Sequence, residues 1–168
     1  MKEVFVSDTA LRNAASEGMD AFVGVFVNAI NDAIGGELTA EMMAELSTDQ
    51  VALLAWDILH DEVMDGGFIQ LIHNGYGGFI FHNPLAKMMN LWGVEGLGSL
   101  INKAHKLFIR YEEELTKDCT DEEFMALFEQ YPQFEDVDDR FVEQEERWTE
   151  QIAQYIDDHI ENFAKIEK

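Results

Sequence analysis

Acidic residues crowd the two ends of this 168-residue chain and nearly vanish from its middle. Residues 1–65 carry a net charge of −11 and residues 111–168 one of −15. Residues 66–110 hold one acid, Glu95, against Lys87, Lys103, Lys106 and Arg110, a net +3. Like charges on neighbouring turns repel, so the flanks pack only if each element turns its acids outward and its apolar residues inward. The material for a core is present: 47% of the chain is hydrophobic, with 12 Phe, 3 Trp and 4 Tyr. Disordered acidic chains lack those aromatics. The length suits one domain, and scarce Pro with abundant Met and Ala favours helices.

The overall charge of −23 exceeds what any fold requires and works against compactness through self-repulsion. It repels nucleic acid and anionic membrane and attracts basic surfaces, including those with which proteins grip DNA. Cys119 is the sole cysteine, so no intrachain disulfide forms, which fits a reducing compartment. The stretch 1–12 has no apolar run of signal-peptide length, and no segment reaches the roughly 18 apolar residues of a membrane span. The expected location is the cytoplasm.

The periodicity predicts a mainly α fold: a single compact helical domain of about seven to nine helices, with a neutral Gly/aromatic centre (66–110) between the acidic flanks and a long acidic C-terminal helix. Ser7 or Asp8 caps a first helix. Phe22, Val23, Phe26, Val27 and Ile30 form an apolar face that Gly35-Gly36 stops. Ser47, followed three residues later by Gln50, is a capping box opening a helix that runs to about Asp65 and ends at Gly66-Gly67. Phe68–His73 is a short helix, and Gly75, Gly77 and Gly78 mark a tight turn favouring positive φ. Asn83-Pro84 starts another helix, with Pro in first position. Leu97–Leu115 follows, with Leu100, Ile101, Ala104, Leu107, Phe108 and Tyr111 inward. Thr120 and Glu123 form a capping box for a helix through Phe128, which Pro132 breaks. Phe134–Phe163 reads as one long helix with Val137, Phe141, Trp148, Ile152, Tyr155, Ile156 and Phe163 in one stripe.

That last segment carries the functional signal. Asp136, Asp139, Glu143, Glu146, Glu150, Asp157 and Glu161 are spaced 3, 4, 3, 4, 7 and 4 apart. On a helix this aligns seven carboxylates on one face over roughly 37 Å. One turn of B-DNA is about 34–36 Å long. Carboxylates at i, i+4 cost an isolated helix a few tenths of a kcal/mol per pair, so the row works against the helix that bears it. Glu135, Asp138, Glu145 and Asp158 widen the negative surface. A stiff array of this kind can occupy the Lys and Arg that a DNA-binding protein places for phosphates. The partner expected from this is a basic DNA-binding protein.

The central string Asp61-Glu62-Val63-Met64-Asp65-Gly66-Gly67-Phe68-Ile69-Gln70, continuing Leu71-Ile72-His73-Asn74-Gly75-Tyr76-Gly77, resembles the signature of a bacterial domain family to which the Neisseria-type DNA mimics belong. In that signature an acid precedes Gly-Gly-Phe and a Gln, and Asn and Gly follow. The resemblance implies a mainly helical monomer fold, a homodimer, and occupation of a transcription factor's DNA-binding surface. It carries over no individual contact residue.

Competing readings use the same residues. An immunity-type inhibitor of a basic toxin nuclease needs the same electrostatics. An enzyme would place its cleft near residues 61–84, beside Asp61, Glu62 and Asp65. The Gly75–Gly78 turn lacks the Gly-Lys-Ser/Thr ending of a phosphate loop and reads as close backbone packing. Asp57, His60, Asp61 and Glu62 could suggest a metal, yet no Glu-x-x-His occurs, and His73, His82, His105 and His159 lack ligand spacing. Asp118 and Asp121 raise the Cys119 pKa, contrary to what a nucleophile needs. Trp56, Trp92 and Trp148 are assigned to the core. The reading is therefore a non-enzymatic binder without metal or cofactor.

Overall fold

The computed structural model describes residues 2–168, and these are mainly α. Strand β1 (Phe5–Ser7) leads into helices α1 (Asp8–Glu17), α2 (Met19–Ala33), α3 (Ala40–Ala44) and α4 (Thr48–His73). Then come α5 (Gly77–His82), α6 (Leu85–Leu91), α7 (Leu97–Leu115), α8 (Asp121–Gln130) and α9 (Glu135–Asp158), and strand β2 (Lys165–Glu167). The described chain forms two compact units, one of residues up to Asp57 with Glu146–Lys168, the other of Ile58–Glu145. Among the described residues no helix is long and apolar enough to cross a membrane.

In the first unit, Ser7 caps α1 by accepting the Ala10 N–H, and Gly18 (φ 149°) breaks the chain between α1 and α2. Helix α2 buries Phe22, Val23, Phe26, Val27 and Ile30, and Gly35 and Gly36 end it with positive φ. The Phe26 ring meets Phe22 edge-on at 5.4 Å and Phe163 at 6.3 Å. The Ser47–Gln50 capping box forms: Ser47 Oγ accepts the Gln50 N–H (3.1 Å) and Gln50 Oε1 accepts the Ser47 N–H (2.8 Å). Gln50 is buried and donates from Nε2 to the Phe163 carbonyl (2.8 Å), so its amide is used at both ends. The two strands pair in parallel, with Val6 opposite Ile166. This pair was absent from the helical reading, because three residues are too few for an alternation to register.

In the second unit, α7 buries Leu97, Leu100, Ile101, Ala104, Phe108 and Leu115. Gly77 and Gly78 start helix α5 instead of lying in the turn, and only Gly75 takes positive φ (89°). The flank of Gly77 is filled by the Phe108 ring, so a Cβ there has no room. Pro84 sits just before α6 as its cap, one position earlier than expected. The Thr120–Glu123 box closes at 3.2 Å in both directions and opens α8. Trp92 is buried here, and Trp56 and Trp148 are buried in the first unit.

Candidate partner-binding site

A 3-10 turn at Pro132–Phe134 delivers the chain into α9, whose first turn holds Glu135, Asp136 and Asp138. Acids there complement the helix dipole. Val137, Phe141, Trp148, Ile152 and Ile156 are each at most 1% exposed. At about 100° per residue these five lie within ~100° of arc. Asp136, Asp139, Glu143, Glu146, Glu150 and Asp157 are all exposed. The same rotation places these six within ~80°, centred nearly opposite the apolar stripe.

Glu161, expected as the seventh member, is off this helix. The helix ends at Asp158, and Glu161 lies in a 3-10 turn, Ile160–Asn162. The cause is His159, which leaves helical geometry (φ −137°, ψ 40°) while its Nδ1 bonds the Tyr155 carbonyl and its ring stacks on Tyr155 at 4.1 Å. The helical row therefore runs from Asp136 to Asp157, about 32 Å at ~1.5 Å per residue. Within it Asp136 is paired with Lys103 Nζ at 2.5 Å, which holds its carboxyl below the usual range. Among the described residues the other five have no Lys, Arg or His partner.

Asp138 and Glu145 do not widen the negative surface as expected. Seven residues apart, they share one side of α9, at the margin of the apolar stripe. Asp138 Oδ1 accepts the Phe68 N–H at 2.8 Å, and Glu145 Oε1 meets His60 Nε2 at 2.6 Å. Burial pushes the Asp138 carboxyl up to about 7, with Asp139 and Glu135 adding to the rise; the bond from Phe68 opposes it. Phe141 lies between the two acids in sequence, and its ring faces Phe68 edge-on (6.3 Å) and His60 (6.4 Å).

The Gly-Gly-Phe string builds the other half of this contact. Helix α4 breaks at Gly66 (φ −147°) and Gly67 (φ 74°) and resumes at Phe68. That break frees the Phe68 N–H, which Asp138 then takes up as an N-cap from another helix. A Cβ on Gly67 would run into the Asp138 carboxylate, and one on Gly66 into the Gln70 side chain. Gln70 Nε2 in turn donates to Glu62 Oε2 (2.7 Å) and Asp65 Oδ2 (2.9 Å), and Asn74 donates to Glu62 (3.1 Å). Acid, glycines, Gln and Asn thus hold one bent helix together. Glu62 and Asp65 each brace this bend through one carboxylate oxygen.

Cys119 lies 3.8 Å from His73 Nε2, while His73 Nδ1 bonds the Leu115 carbonyl. Burial first, then Glu123, Asp118 and Asp121, push the thiol up. This disfavours the thiolate a nucleophile requires.

A family model described as DMP19-like protein matches residues 44–159. The DNA mimic protein DMP19 of Neisseria meningitidis serogroup B (strain ATCC BAA-335 / MC58) is 34% identical over 127 residues, covering 75% of this chain and 77% of that protein. The matched span contains the bent helix α4, the acidic row on α9 and the two inward acids between them. This chain belongs to the DMP19-like protein family.

Proposed function

We propose that this chain is a DNA mimic that occupies the DNA-binding surface of a basic protein, a transcriptional regulator, and excludes its duplex. The observation that carries the reading is the exposed row Asp136, Asp139, Glu143, Glu146, Glu150 and Asp157 on one arc of α9, five members of which have no cationic partner among the described residues. Carboxylates at helical spacing cover a length comparable to one duplex turn. They offer Lys and Arg charge-assisted hydrogen bonds of the kind phosphates offer. The family relation to a protein named as a DNA mimic supports the same reading. Glu161 belongs to the proposed face as a flanking acid beyond the helix end. The chain acts without catalysis or cofactor, as a single-domain homodimer in the cytoplasm.

The test is capture of partners from a cytoplasmic extract on the immobilised chain, followed by competition with duplex DNA. A captured DNA-binding protein displaced by its own duplex supports the proposal. A captured protein that holds duplex and this chain together overturns it, and a captured basic nuclease transfers the surface to an immunity-type inhibitor. Reversing Glu143, Glu146 and Glu150 to Lys is expected to abolish partner binding while leaving the far-ultraviolet circular dichroism unchanged. Raised salt weakens the wild-type complex steeply.

A further inference from the structure

An apolar stripe holds a helix down but fixes its rotation poorly. Apolar contacts are non-directional, and a row of like charges supplies only repulsion. Hydrogen bonds are directional, losing most of their strength below about 120° at the hydrogen. Two of them, seven residues apart on one side of a helix, define its rotation. Helix α9 has such a pair in the Ile58–Glu145 unit: Asp138 on the Phe68 N–H at 2.8 Å and Glu145 on His60 at 2.6 Å. Both partner groups belong to α4, and Phe141 packs its ring against the rings of the same two residues. The seat for Asp138 exists only because Gly67 has no Cβ and because the chain breaks there with positive φ.

We infer that Asp138 and Glu145 are positioning residues that set the rotation of α9 about its own axis, so that Asp136, Asp139 and Glu143 are presented in one fixed orientation. Two kinds of acid then share the helix. The inward pair grips the broken α4, and the outward members face the partner. The Gly-Gly-Phe string is, on this view, the socket for the acid-bearing helix. The purpose of the grip rests on the mimic reading above, but its existence does not.

The test compares two double variants of equal charge. Asp138→Asn with Glu145→Gln keeps a carbonyl oxygen at each grip, and Asp138→Ala with Glu145→Ala removes both acceptors. In a Cys119→Ser background, spin labels placed through Glu143→Cys and Lys106→Cys report the distance from the outward face of α9 to α7 by pulsed electron resonance. The parent and the Asn/Gln protein are expected to give one narrow distribution, and the Ala/Ala protein a broadened or displaced one. An Ala/Ala distribution matching the parent overturns the inference. If the Ala/Ala protein does not fold, Asp138→Ala and Glu145→Ala are read singly: broadening in either supports the grip, and narrow parental distributions in both overturn it. A failed mimic reading shows as the absence of any duplex-displaced partner and leaves these distances untouched.

Discussion

Asp138 and Asp139 are adjacent, identical in chemistry, and opposite in situation. Asp139 is exposed and has no cationic partner among the described residues, whereas Asp138 is half-buried, accepts the Phe68 N–H and has its carboxyl pushed up to about 7. Glu145 and Glu146 repeat the contrast, one on His60 and the other exposed. One step of about 100° around the helix separates the members of each couple. An acid's part in such a protein is decided by its angle to the apolar stripe and by the group waiting across from it. A count of charges treats both members alike.

The largest effect expected from breaking the inward side is at its centre. Phe141→Ala should cost about 3–5 kcal/mol of stability, the usual range for emptying a buried aromatic site. Denaturant midpoints measure it, and neighbouring Glu143→Gln, on the outward side, should leave the midpoint within roughly 0.5 kcal/mol. Next comes Gly67→Ala, which combines an unfavourable positive φ with a collision against Asp138. It should cost roughly 2–4 kcal/mol. Adding Asp138→Ala should recover part of that loss, because the collision disappears while the backbone strain stays.

A smaller, pH-dependent effect sharpens the couple Asp138/Asp139. The Asp138 carboxyl is raised in the folded state, so the native protein holds that proton more tightly than the unfolded chain does. Its contribution is fully present below the ordinary value near 4 and is lost as pH rises through about 7. Asp138→Asn removes this dependence and keeps an acceptor for Phe68. The variant should therefore gain roughly 1–3 kcal/mol on the wild type between pH 5 and pH 8. A curve for Asp138→Asn that runs parallel to the wild type would contradict the burial of its carboxyl. The smallest effect belongs to the outward side: Glu143, Glu146 and Glu150 changed together to Lys should shift the melting midpoint by only a few degrees, since surface substitutions rarely exceed about 0.5 kcal/mol each.

Much of this was legible in the residues. The caps at Ser7, Ser47–Gln50 and Thr120–Glu123 formed as read, because a cap is decided by neighbours three residues apart. Helix α7 kept its expected limits, and Gly66-Gly67 broke α4 where two adjacent glycines offered least resistance. The relation to a DMP19-like family was also readable from the central string. Three things were not. The end of α9 at Asp158 depends on His159 turning back onto Tyr155, a local stacking choice that periodicity does not encode. The strands β1 and β2 lie about 160 residues apart and bring too short a pattern to be recognised. The inward turn of Asp138 and Glu145 needed the position of α4, since their spacing suits a solvated face equally well.

The sequence alone determined the segregation of charge, the helical class, the caps and the periodic row of acids, because each depends on composition or on residues within a turn or two of one another. Tertiary structure alone decided which carboxylates face outward and which are consumed inside. That outcome depends on Phe68 and His60 meeting residues about 70 and 85 positions further along the chain. A buried acid is tolerable only where a donor is already waiting for it, and only the packed molecule supplies that donor.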